Sequence, residues 1–135
     1  MKNSGNTILI TGGGSGIGAA LAHEFHAAGN QVIIAGRRQA ALDEVVAAHA
    51  GMASMVIDME DPVAIAAFAA KLVPDFPALD AVLLNAGIMV AEDQIDLAIA
   101  EATVATNLLG PIRLTHALLP HLLAQKSATI LTVSS

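Results

Sequence analysis

The chain has 135 residues, enough for one domain with a sizeable core, and its 55% hydrophobic content excludes intrinsic disorder. It contains no cysteine, which excludes disulfides and thiolate sites, and no tyrosine, which excludes phenol chemistry within these residues. The net charge of −6 and the 2% aromatic content argue against nucleic acid as a partner. No apolar run approaches the ~18 residues of a membrane span, and the polar start lacks a secretory segment. We therefore expect a cytoplasmic protein without a membrane partner.

Short apolar runs rich in β-branched residues alternate with alanine-rich helical patterns along the chain. We predict strands at 8–10, 32–34, 55–57, 81–84 and 129–133. We predict helices at about 17–28, at 39–49, from Pro62 to just before Pro74 with Asp61 as N-cap, and over much of 95–125. Apolar strands separated by helices are typical of a parallel sheet covered on both faces. The pattern therefore predicts a single α/β domain over residues 1–135.

The most informative segment is the glycine loop, residues 11–18, which follows the first strand and opens the first helix. Glycines there allow a sharp turn and the close approach of a pyrophosphate, and the helix N-terminus offers free N–H groups. The segment is not a Walker loop, because Ala19 and Ala20 stand where lysine and serine or threonine are needed. Nor is it a GxGxxG motif, because Ile17 stands at the third glycine. A tight turn without a ligand is the alternative interpretation.

The end of the second strand carries two arginines where dinucleotide sites selective for NAD usually have an acid. The planar guanidinium groups of Arg37 and Arg38 suit a phosphate, to which each can donate two parallel hydrogen bonds. Positive charge at a helix start also opposes the helix dipole, which favours a compensating anion. The pair therefore predicts a preference for NADP(H) over NAD(H), the alternative being two solvated arginines.

Five motifs in chain order resemble those of the short-chain dehydrogenase/reductase (SDR) family. They are the glycine loop at 11–18, Asp58 after the third strand, Asn85-Ala86-Gly87 after the fourth, Asn107 in the last helical pattern, and Ser135, with Ser134 as the alternative, after the fifth. Taken alone, Asp58 is typical of a turn cap, and Asn85 and Gly87 are typical of a structural turn. The resemblance covers essentially the whole chain. It implies a Rossmann-type doubly wound sheet of about five strands in the order 3-2-1-4-5.

The resemblance also implies an activity, namely hydride transfer between NADP(H) and a small carbonyl or alcohol substrate. It implies a serine, Ser135, that hydrogen-bonds the substrate oxygen and an asparagine, Asn107, that orders a water in a proton relay. The cofactor contacts it implies are Gly12, Ser15, Gly16, Ile17 and Gly18 for the pyrophosphate and its ribose, Arg37 and Arg38 for the 2′-phosphate, Asp58 for the adenine, and Asn85, Ala86 and Gly87 for the ribose side.

One departure from the family pattern is serious. The family's Tyr-x-x-x-Lys motif lies beyond the serine, whereas this chain has no tyrosine, and its last lysine, Lys126, precedes the fifth strand. We therefore expect the N-terminal, cofactor-binding half of a family member, shorter than a complete one and inactive on its own. Family members often pair through the long central helix, so we expect the full-length form to be a homo-oligomer.

Other functions fit the sequence less well. A non-catalytic NADP(H)-binding or sensor module stays open because of the missing tyrosine. A methyltransferase on a related sheet would usually need an acid after the second strand, where this chain has Arg37. The histidines, such as His23 and His26, lack the three or four convergent ligands that zinc needs, so we expect packing or surface roles and no metal site. No GxSxG elbow supports a serine hydrolase.

Overall fold

The computed structural model describes residues 1–91 and 96–134. Its centre is a five-stranded sheet in the order β3-β2-β1-β4-β5, with every neighbouring pair parallel. This order and the doubly wound α/β architecture confirm the fold predicted above. The strands are β1 Thr7–Thr11, β2 Gln31–Gly36, β3 Ala53–Val56, β4 Ala81–Leu84 and β5 Thr129–Thr132.

Helices connect the strands and cover both faces of the sheet. They are α1 Gly16–Ala27, α2 Gln39–Ala47, α3 Pro62–Asp75, α4 Leu97–Val104 and α5 Gly110–Leu123, with a π-helical turn at Ala105–Leu109 between the last two. In the part of the chain that the structure describes, no helix is long and apolar enough to cross a membrane.

Alternate residues of the strands enter two separate cores, as the two-residue period of a strand requires. Leu9, Ile33 and Val82 belong to the core beneath α3 and α5, where Leu72 and Leu114 are fully buried. Their neighbours enter the second core beneath α1 and α2, whose buried residues include Ile8, Ile10, Val32, Ile34, Ala22 and Leu42. The edge strands β3 and β5 are less buried than the three strands between them.

Strand β1 is the point at which the strand order reverses, because it pairs with both β2 and β4. The chain first runs outward through β2 to β3 and then returns to the other side of β1. The connections that leave the carboxyl ends of β1 and β4 therefore diverge to opposite faces, which opens a crevice between them.

Helix α3 begins as the sequence predicts but ends later. The Asp61 carboxylate accepts a hydrogen bond from Val63 N–H at 2.9 Å, and proline occupies the first helical position. The predicted end before Pro74 is wrong, because Pro74 lies in the last turn. A proline there removes only its own N–H bond, while Phe76 N–H still donates to Leu72 O at 2.8 Å. The burial of Leu72 against the sheet keeps this turn in place.

The long pattern predicted over 95–125 becomes two α-helices joined by one π-helical turn. Asp96 caps α4 by accepting from Ala98 N–H at 2.9 Å. The π-helical turn lies directly before Gly110-Pro111, and Gly110 itself keeps a helical backbone with φ −56° and ψ −56°. Pro111 has no N–H to donate, and the chain adjusts to it by a local change of helix pitch rather than by ending the helix.

Replacing Asp61 by alanine should lower the free energy of unfolding by about 1 kcal/mol, because the first turn of α3 loses its capping acceptor. Urea unfolding of the 135-residue chain measures this loss. Glu60→Ala is the matched control, since it removes an exposed acid next to the cap without removing the capping bond. Equal losses in the two variants would contradict the assignment of Asp61 as the N-cap.

Candidate functional site

The site lies in the crevice between the carboxyl ends of β1 and β4, and the hydroxyl of Thr11 holds its two sides together. The Oγ1 of Thr11 accepts hydrogen bonds from the backbone N–H groups of Asn85 and Ala86, each at 3.1 Å. Thr11 is fully buried, and the Asn85 side-chain amide also donates to Gly12 O at 3.4 Å. These bonds fix the glycine loop against the Asn85-Ala86-Gly87 segment, which the sequence had assigned to one site.

Glycine is required in the loop because other chain segments leave no space for a side chain. A Cβ on Gly12, whose φ is +68°, would lie 2.9 Å from the Cα of Ala86. A Cβ on Gly18 would overlap the carbonyl oxygen of Gly12, and one on Gly13 would lie 2.6 Å from Ile34 Cβ. The loop therefore packs backbone against backbone, which lets helix α1 start directly above the end of β1.

The N-terminus of α1 is open on its outer side. Ser15, Gly16 and Ile17 are exposed, and the space around a Cβ on Gly16 is empty. Ser15 is the N-cap of the helix, but its hydroxyl makes no capping bond there. The first-turn N–H groups of a helix have no partner within the helix, and they favour an anion. The contact of these residues with a pyrophosphate stays a prediction.

Arg37 and Arg38 line the same cleft as the glycine loop. The cleft has a volume of about 410 Å³, and its lining comprises Gly12, Gly14, Ser15, Gly36, Arg37, Arg38, Ala41 and Leu42. Both arginines are exposed, and the first turn of α2 that follows them holds no acid. Arg37 and Arg38 therefore form part of the wall of this cleft together with residues at the N-terminus of α1, and guanidinium groups and helix N-termini both attract anions.

A smaller cleft of about 110 Å³ continues from the first one towards α5. It is lined by Gly12, Gly36, Arg37, Ile57, Met59, Ala86, Gly87, Ile88 and Thr106. Asp58 lies between two of these residues and is exposed. One of its carboxylate oxygens accepts from Glu60 N–H at 3.0 Å, as a turn cap does. The contact of Asp58 with adenine stays a prediction.

Asn107 lies in the π-helical turn and binds the loop that follows β4. Its Oδ1 accepts from Ile88 N–H at 2.7 Å, and its Nδ2 donates to Ile88 O at 2.8 Å. Gly87 lies beside it, since a Cβ on Gly87 would be 3.3 Å from Asn107 Oδ1. The observed function of the side chain is thus to hold a loop, and its part in a proton relay stays a prediction.

An apolar cleft on the other side of Asn107 reaches the end of β5. Ser134 lines this cleft together with Asn107, Leu108, Ile112 and Val133, and its volume is about 410 Å³. Ser135, the predicted catalytic serine, lies outside the described residues. The structure therefore brings Asn107 and the alternative serine, Ser134, to one cleft.

Four of the five histidines, His23, His26, His49 and His121, take part in packing contacts. His23 Nδ1 lies 2.8 Å from His49 Nε2, and His121 Nε2 lies 3.0 Å from Leu79 O. Within residues 1–91 and 96–134, no three histidines or acids form a group suited to a metal ion.

Two threonines of the site were missed as site residues in the sequence. Thr11 begins the glycine loop, and the sequence signal for its role is that a polar residue ending a buried strand must find a partner for its hydroxyl. Thr106 is 7% exposed and lines the smaller cleft. Its position next to Asn107 was the only sequence signal for it.

The comparisons with known proteins agree with this geometry. The sequence profile of the short chain dehydrogenase family matches residues 6–135. The chain is 33% identical over 140 residues to mouse "Dehydrogenase/reductase SDR family member 7B", covering 95% of this chain and 43% of that protein. It is 34% identical over 135 residues to "Sulfoacetaldehyde reductase" of Chromohalobacter salexigens, covering 95% and 53%.

A solved structure, a short-chain dehydrogenase from Streptomyces avermitilis, superimposes with a TM-score of 0.89 at 32% identity. The match covers 99% of this chain and 50% of that one, so the chain spans about half the length of the relatives it matches. The family match over nearly all residues, the strand order and the glycine crevice agree, and the chain belongs to the short-chain dehydrogenase/reductase family.

Proposed function

We propose that the protein is an NADP(H)-dependent oxidoreductase that transfers hydride between nicotinamide and a carbonyl or alcohol substrate. The observation that carries this proposal is the shared cleft of Arg37, Arg38 and the open N-terminus of α1. A helix N-terminus alone would accept any dinucleotide, whereas two guanidinium groups beside it favour the one with an additional phosphate.

The chain offers a fitting set of groups along the whole nucleotide. The backbone at Ser15, Gly16 and Ile17 would hold the pyrophosphate, and the two arginines would hold the 2′-phosphate. Asp58 would accept from the adenine amine, and the segment 85–87 would lie along a ribose. NADP(H), when bound, supplies or accepts the hydride, while these residues orient it and compensate its charge.

A carbonyl or alcohol substrate is the class that hydride chemistry on nicotinamide requires. The name of one relative, sulfoacetaldehyde reductase, indicates an aldehyde substrate for that protein. Here the apolar cleft beside Asn107 and Ser134 is adjacent to the nucleotide clefts and is the place we assign to substrate. Ser135 is the proposed partner of the substrate oxygen.

We also propose that the full-length protein is a homo-oligomer that pairs through the face of α5. On α5, Leu119 and Leu123 are 39% and 75% exposed, and their spacing of four residues places them on one face of the helix. An apolar stripe of this kind favours contact with another protein surface over contact with water.

A second candidate function is a non-catalytic NADP(H)-binding or sensor module. It uses the same nucleotide clefts as the first candidate and needs no catalytic proton donor. Both candidates predict binding of NADP(H), and they differ in whether the full-length protein turns over substrate.

We predict that the chain binds NADP⁺ more tightly than NAD⁺ and that Arg37→Ala removes most of the difference. A charge-assisted hydrogen bond contributes roughly 1.5–3 kcal/mol, so the affinity for NADP⁺ should fall about 10- to 100-fold. Titration calorimetry with both nucleotides measures the effect.

The matched control is Lys126→Ala, which removes one exposed positive charge near the amino-terminal ends of the strands, away from the nucleotide clefts at their carboxyl ends. Its affinities should equal those of the unmodified chain. Equal affinity of the unmodified chain for the two nucleotides would disprove the preference for NADP(H).

We predict that the purified 135-residue chain binds NADPH without oxidising it in the presence of carbonyl compounds. The chain holds no phenol to donate the proton that must follow the hydride. Absorbance of NADPH with a panel of aldehydes and ketones measures turnover. Oxidation above the rate without protein would contradict this prediction.

A further inference from the structure

The segment from Asn107 to Gly110 contacts two loops that both contribute residues to the smaller nucleotide cleft. Asn107 makes its two hydrogen bonds to Ile88, in the loop after β4. Gly110, directly after the π-helical turn, packs on Met59 in the loop between β3 and α3. Ile88, Met59 and Thr106 all line the same cleft, so the segment from Thr106 to Gly110 sets the distance between the two loops that form it.

The contact at Gly110 is a close approach of two backbones. A Cβ there would lie 2.5 Å from Met59 O and 3.2 Å from both Cβ and Cε of Met59. The backbone of Gly110 is ordinary α-helix, so glycine is not needed for conformation. Met59 is 3% exposed, and the chain around it is tied by Ile57 N–H to Gly36 O at 2.9 Å. Any atom added at Gly110 must therefore displace backbone.

Asp58 directly precedes Met59 in the chain, so the position of Asp58 depends on the contact between Met59 and Gly110. The bonds from Glu60 N–H to Asp58 Oδ1 and from Asp61 N–H to Asp58 O make residues 58–61 one compact turn. A displacement of Met59 O would carry this turn with it. An alanine methyl in ordinary contact needs roughly an ångström more than the present gap. A hydrogen bond from Asp58 to a ligand would not survive such a shift.

We propose that Gly110 is a positioning residue for the adenosine end of the dinucleotide. Through its contact with Met59, it sets where the turn at residues 58–61 lies relative to the glycine loop. The inference rests on the proposed function, since it assumes that this cleft receives adenosine. Gly110 touches no ligand itself and acts through Met59 and Asp58.

The test uses the 135-residue chain, NADP⁺, and adenosine 2′,5′-bisphosphate, which carries only the adenine and the 2′-phosphate end. Gly110→Ala should weaken the binding of both ligands by the same factor, about five- to tenfold, because the loss falls on the part that they share. Affinities are measured by calorimetry at a temperature where circular dichroism shows every variant to be folded.

Gly51→Ala is the control for a loss of stability alone. Gly51 has φ +90°, and a Cβ there has open space around it, so the added methyl strains the backbone far from the cleft. This variant should melt at a lower temperature than the unmodified chain yet bind both ligands with unchanged affinity. A general structural role for Gly110 would instead make the two variants alike in affinity.

If Gly110→Ala does not fold, the same comparison is made in a Met59→Ala background, which removes the Cε contact and leaves the carbonyl and Cβ contacts. The double variant should then bind the bisphosphate about fivefold or more weakly than Met59→Ala alone. Equal affinities in whichever pair folds would overturn the inference. An unmodified chain that binds neither ligand would instead overturn the proposed function, and with it this inference.

Discussion

The rest of the site depends on the hydrogen bonds that the buried hydroxyl of Thr11 accepts. Strand order reverses at β1 and β4 runs parallel to it, so the segment after β4 leaves the sheet beside the glycine loop. At that point Thr11 Oγ1 connects the two segments, because it accepts hydrogen bonds from the backbone N–H groups of Asn85 and Ala86. Because the hydroxyl is fully buried, these bonds are screened little by water, and each unmade donor would carry a desolvation cost.

The same close packing explains why small residues surround the crevice. Gly12, Gly18 and Gly110 each approach another backbone more closely than a Cβ allows. Only the first of them has a positive φ. The glycines of this site therefore serve mainly to bring chain segments together, and the clefts are the spaces left between segments held in this way. Gly18 and Gly110 line neither nucleotide cleft, yet a methyl group added at either one must displace the backbone against which it packs.

Much of the fold could be predicted from the sequence because its signals are local. Apolar runs separated by helical patterns give the strands, and Asp61-Pro62 marks a helix start that the capping bond confirms. The end of α3 could not be predicted, since the burial of Leu72 outweighs the local effect of Pro74. The π-helical turn could not be predicted either, because Asn107 and Ile88, which it brings together, are 19 residues apart. The partners of Thr11 and Gly110 likewise become apparent only when distant strands are placed side by side.

The position of charge in this chain matters more than its total. With a net charge of −6, the chain as a whole repels an anionic dinucleotide, and more strongly one with an additional phosphate. Attraction must therefore be local. Arg37 and Arg38 are two of the chain's six basic residues and stand at one cleft wall, beside the positive end of α1. Since charges further away than about 10 Å are largely screened at 0.1 M salt, a bound phosphate would interact mainly with this wall. The proposed preference for NADP(H) is therefore compatible with an acidic chain.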